Sequence, residues 1–68
     1  MKPVSGKRLA RVLEDRGWVF IRSSGSHFVY QDSASGKRVS VPMHGSRDLA
    51  TGTQRRIMKD ADLEEDDL

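Results

Sequence analysis

Apolar residues follow two different rhythms along this chain of 68 residues. Leu9, Val12 and Leu13 recur at helical spacing behind Ser5, a residue type suited to cap a helix N-terminus, and Gly17 stands where a glycine ends one. This predicts a first helix from Gly6 to Arg16, with Lys7, Arg8, Arg11 and Glu14 on its polar face and an apolar stripe that must pack on another element. Trp18 to Ser23 is instead β-branched and aromatic, and Ser23-Ser24-Gly25 interrupts it as a turn. Ser26 to Gln31 reads as a second strand, Asp32 to Gly36 as a polar turn, and Arg38 to Val41 as a third strand that Pro42 stops. Pro42 to Gly52 reads as a loop. Thr53 to Ala61 then supports a second helix with Ile57, Met58 and Ala61 turned inward.

The order αβββα predicts one small α+β domain: a three-stranded antiparallel meander with both helices on one face and the other face left to water. Residues 1–61 are expected to form that domain and 62–68 an acidic C-terminal tail. The pentamers Ser5-Gly6-Lys7-Arg8-Leu9 and Ser35-Gly36-Lys37-Arg38-Val39 look alike, but one opens a helix and the other closes a hairpin turn, so they imply no duplication.

Strand periodicity separates two neighbours at the head of the second strand. Adjacent strand residues point to opposite faces, so His27 and Phe28 cannot both face the core. Phe28 with Tyr30 supplies an aromatic face for the helices, which leaves His27, Val29 and Gln31 on the open face.

Charge changes the picture more than length does. The net charge is only +2. Yet all twelve basic residues lie between Met1 and Lys59 against four acidic ones there, a surplus of eight positive charges, while six acids crowd into the last nine positions. A compact body with that surplus attracts phosphate backbones through counterion release and long-range steering; the plainer reading is a solvated basic surface. The acidic end reads first as a C-terminal turn or frayed segment aiding solubility, and second as a flap that folds back over the basic face and competes with RNA.

A chain this short buries only about 60% of its unfolded surface, so stability is expected to be marginal. Cysteine is absent, which rules out a disulfide framework, a thiolate nucleophile and a Cys-based zinc site and fits a reducing compartment. No stretch approaches a membrane span and no signal-peptide core is visible, so a cytoplasmic protein is expected.

His27 is the leading chemical candidate, because an imidazole with a reference pKa near ~6.5 can exchange a proton at cellular pH without a cofactor. The alternative is a strand-end side chain bonded to nearby backbone. His44, in Pro42-Met43-His44-Gly45, could be a second proton-transfer group, an RNA contact or a structural hydrogen-bonding residue. Lys7, Arg22, Lys37 and Arg38 are candidates to hold phosphate, Arg as a bidentate fork and Lys as a point charge. Ser26 reads as a turn or hydrogen-bonding residue that could touch RNA; it forms no triad with His27, since adjacent strand residues diverge. Trp18 reads as core or rim packing, against the sharper idea of a base-stacking platform. There is no nucleophile elbow, phosphate loop or His-Glu-x-x-His pair, and a metal site from His27 and His44 would lack any recognisable spacing.

Taken in order, Ser5-Gly6-Lys7, Gly17-Trp18, Gly25-Ser26-His27, Val39-Ser40-Val41-Pro42-Met43-His44, Leu49 and Gly52-Thr53 before the Ile57 helix resemble the HicA-type toxins. These are small messenger-RNA-cleaving proteins with a double-stranded-RNA-binding-domain-like fold. The resemblance implies the toxin component of a type II toxin–antitoxin system, an endoribonuclease in which the strand-two histidine, His27, is essential, and a HicB-type antitoxin that covers the site. The chemistry of such a cleavage can be stated without a metal, and no cofactor is expected. One departure is visible: many members carry two adjacent histidines after Gly-Ser, and here the second position is Phe28. The other readings are a non-catalytic RNA-binding module of the same fold and a basic protein-interaction domain.

Overall fold

The computed structural model describes residues 1–68, and its element order is the predicted αβββα. Helix α1 spans Gly6–Asp15, strands β1, β2 and β3 span Trp18–Ser24, His27–Asp32 and Arg38–Pro42, and helix α2 spans Thr51–Asp60, followed by a short 3-10 turn at Glu65–Asp67. Ser5 caps α1 as its residue type predicts, its hydroxyl oxygen accepting the Arg8 N–H at 3.1 Å. No helix is long and apolar enough to cross a membrane.

The three strands pair in chain order, both times antiparallel. On one face Phe20 lies opposite Tyr30, Tyr30 opposite Val39, and Phe28 opposite Val41. Leu9 and Leu13 of α1 and Ile57 and Met58 of α2 share a core with Trp18, Tyr30, Val39 and Val41, so both helices cover this face. On the other face His27 lies opposite Pro42, Val29 opposite Ser40, and Gln31 opposite Arg38.

Three local details differ from the pattern-based expectation. The β1–β2 turn is Gly25-Ser26 and not Ser23-Ser24-Gly25, with Ser24 paired to His27. Gly25 has φ 58°, the left-handed value that the first central position of a two-residue hairpin turn demands and glycine adopts without strain. Helix α2 starts at Thr51 and not Thr53, because the Gln54 N–H already reaches the Ala50 carbonyl at 2.9 Å. Third, β1 contains a bulge: Phe20 pairs with Tyr30, but Arg22 pairs with Val29, the very next residue back along β2, so Ile21 is supernumerary. The bulge inverts the alternation of β1. Trp18 and Phe20 face the helices, while Arg22 and Ser24 face the open side.

Tight contacts tie the helices to the sheet. Gly6, at the start of α1, is pressed against the end of β3 so closely that a Cβ there would overlap the Pro42 carbonyl oxygen. Gln54, wholly buried in α2, holds the N-terminal segment: its Oε1 accepts the Val4 N–H at 3.1 Å and its Nε2 donates to the Lys2 carbonyl at 2.6 Å.

The acidic end packs as an ordered turn. Leu63 and Leu68 belong to the core, Arg16 meets Asp67 at 2.6 Å, and the Arg8 guanidinium donates to the Leu68 carbonyl at 3.0 Å. These acids lie against α1 and the chain's first residues, where Glu65 also accepts the Lys2 N–H at 3.2 Å.

Candidate nucleic-acid interface

The inverted alternation of β1 builds a site on the open face. Arg22 and Ser24 from β1, His27 and Val29 from β2, and Arg38, Val39 and Ser40 from β3 line one shallow concavity of about 520 Å³. His27 stands at the first position of β2, across from Ser24 on one side and Pro42 on the other. Its ring is exposed. Arg22 flanks Val29, one step along the same face, and Arg38 comes from the far strand opposite Gln31. The two arginines thus stand on the strands either side of β2, about 4.8 Å away each, and further along the sheet than the row of His27. The lining contains two cations and no carboxylate, so it suits an anion larger than a single ion.

Arg22, His27 and Arg38 are therefore brought together, and the other candidates are not. Lys7 lies on the opposite side of the sheet, in a second groove of about 390 Å³ with Arg11, Glu14, Phe28, Tyr30 and Met43. Lys37 sits in the β2–β3 turn, its carbonyl accepting the Asp32 N–H at 2.9 Å, roughly 17 Å along the strand from His27 at about 3.3 Å per residue. Ser26 occupies the β1–β2 turn, where its carbonyl accepts the Met43 N–H at 2.6 Å. His44 is exposed just beyond β3. It leaves the sheet at the same end as His27 but does not line the concavity. Ser24 and Ser40 were not singled out from the sequence. Their membership follows from pairing register, which only becomes readable once the turn and bulge are located.

The face opposite explains Phe28 and Tyr30. Phe28 is half-buried and meets Phe20 edge-on at a centroid distance of 5.1 Å. Tyr30 donates its hydroxyl to Glu14 Oε2 at 2.8 Å. Burial, then that hydrogen bond and the negative charge of Glu14, push the Tyr30 phenol up to about 12. Both aromatic rings thus serve packing. No three His, Asp or Glu side chains gather as a metal-ligand set.

A family model for the HicA toxin of bacterial toxin–antitoxin systems matches residues 6–63. The chain belongs to the HicA toxin family. The match begins at the first residue of α1 and ends at Leu63, so it contains the whole sheet, both helices and the His27 concavity. No curated protein matches the chain. Membership makes this HicA-family chain the toxin kind of a toxin–antitoxin pair, and its partner kind an antitoxin.

Proposed function

We propose that this HicA-family chain is a metal-independent endoribonuclease acting on messenger RNA in the cytoplasm, with His27 as general acid or base and Arg22 and Arg38 as phosphate holders. The observation that carries the reading is the bulge at Ile21, which turns Arg22 onto the face of His27. Cleavage of RNA by this route needs the ribose 2′-OH to lose its proton, the 2′-oxygen to bond to phosphorus, and the 5′-oxygen to leave with a proton. One imidazole can serve either proton transfer, contributing on the order of 10² to 10⁴ in rate. The phosphorane carries extra negative charge, which the two guanidiniums offset. Lys7, Ser26, Lys37 and His44 lie outside the concavity and belong to the reading only as outlying RNA contacts. A HicB-type antitoxin and a double-stranded-RNA-binding-domain-like scaffold complete it.

The test is a long unstructured RNA incubated with the protein in excess EDTA, wild type against His27→Ala at matched folding. Cleavage by the wild type alone supports the reading. Intact RNA in both lanes with a retained mobility shift sinks the nuclease and leaves a non-catalytic RNA-binding module. One observation favours that second reading: Phe28 occupies the place of a second histidine and is committed to the helix side of the sheet.

A further inference from the structure

Strand β1 forms one edge of the sheet, and its surface is apolar. The exposed large apolar residues of the chain are Met1 and three consecutive β1 residues, Val19 at 50%, Phe20 at 45% and Ile21 at 39%. Val19 pairs with Gln31 on the open face and Phe20 with Tyr30 on the helix face, so the edge is apolar on both sides of the sheet. Free edges template pairing through their unmatched N–H and C=O groups, and folded proteins blunt them with charge, proline or bulges. Here the bulge at Ile21 is the only such device within Trp18–Ile21, and it leaves Trp18 to Phe20 open to a short ladder. An exposed apolar cluster of this kind marks a protein contact.

Charge decides what covers it. The uncharged run Trp18–Ile21 offers phosphate nothing. A second copy paired on the same edge would bring two Arg22 side chains toward each other with no carboxylate in the run to offset them, a like-charge cost. An extended segment that combines apolar side chains with a carboxylate suits both the apolar edge and Arg22, and toxin–antitoxin membership supplies a protein partner, the antitoxin.

We propose that the antitoxin adds an extended segment to the outer edge of β1, with apolar side chains against Val19 and Phe20 and a carboxylate on Arg22. The ladder is short, so side-chain contacts give most of the affinity and the main chain gives register. The inference rests on the antitoxin partnership and not on the nuclease chemistry. It bears on the His27 site through Arg22, which lines the same concavity, so docking would occupy one of its two cations.

The experiment pairs the full chain with the purified antitoxin encoded beside it, by calorimetry and by amide hydrogen exchange. Expected are slowed exchange at Trp18 to Ile21 in the complex and at least tenfold weaker binding by Val19→Lys, with Ile21→Lys as the second variant should the first fail to fold. Unchanged affinity in the folded variant, within about twofold, without new protection of β1 overturns the strand addition and leaves the partnership standing. Absence of any complex overturns both. A dimer of the protein alone that Val19→Lys dissociates assigns the edge to a second copy and likewise overturns the proposal.

Discussion

Arg22 lies opposite Val29 while Phe20, two residues earlier, lies opposite Tyr30. These partners are neighbours on β2 with opposite directions, so leaving Ile21 out of the pairing decides whether the guanidinium joins His27 or the core. Deleting Ile21 makes Phe20 and Arg22 direct neighbours opposite Tyr30 and Val29, which is simple alternation, so Arg22 keeps the face of His27. The expected result is RNA affinity retained within about twofold, read by a mobility shift, in a protein whose folding is checked by thermal melting. A folded Ile21 deletion that loses RNA binding contradicts the account.

The two arginines that line the concavity with His27 are expected to act on phosphate. Arg22→Ala and Arg38→Ala should each weaken RNA binding roughly 10- to 100-fold, the worth of a charge-assisted hydrogen bond. Each should also flatten the salt dependence by about 0.7 in log–log slope on single-stranded RNA. Lys7→Ala, on the far side of the sheet, should do much less. Titrations at several salt concentrations separate these outcomes.

Two glycines make opposite predictions. Gly6→Ala drives a methyl group into the Pro42 carbonyl and should cost roughly 1–3 kcal/mol. Gly52, in the first turn of α2 with open space around its Cβ position, should tolerate alanine and gain about 0.4–1 kcal/mol by restricting the unfolded chain. Urea unfolding of both variants checks the pair.

Tyr30 is the only tyrosine, so its titration can be followed directly by absorbance. Its phenol should titrate near 12 when folded, against the ordinary tyrosine value of 10.0 on unfolding. The protonated phenol is the form the fold prefers. Its contribution is therefore complete below the unfolded value, and it is lost as pH rises from about 10 through about 12. Tyr30→Phe should be less stable at neutral pH and lack this alkaline loss.

The acidic end should prove structural. Truncation after Lys59 removes Leu63 and Leu68 from the core, and deleting buried leucine side chains costs about 2–5 kcal/mol each in well-packed sites. For a chain of this size that is enough to unfold it. Asp67→Asn weakens the half-exposed pair with Arg16 while its remaining oxygen can still accept the Glu64 N–H that Asp67 holds at 2.7 Å, and should cost under about 1 kcal/mol. Circular dichroism of the truncation distinguishes this outcome from a folded body with unmasked RNA affinity.

Local chemistry made much of this protein readable from its residues. The Ser5 cap, the helical spacing of Leu9, Val12 and Leu13, and the alternation after His27 depend on contacts within a turn or a strand. They determine the elements, their order, and which of His27 and Phe28 faces the helices. The reach of Arg22, the inclusion of Ser24 and Ser40, the distance of Lys7 and Lys37 from His27, and the docking of Leu63 and Leu68 were decided only by tertiary structure. Each depends on partners distant in sequence. A two-residue turn set by Gly25 and a single supernumerary Ile21 shift pairing by one position, and a shift of one position exchanges the two faces of a strand.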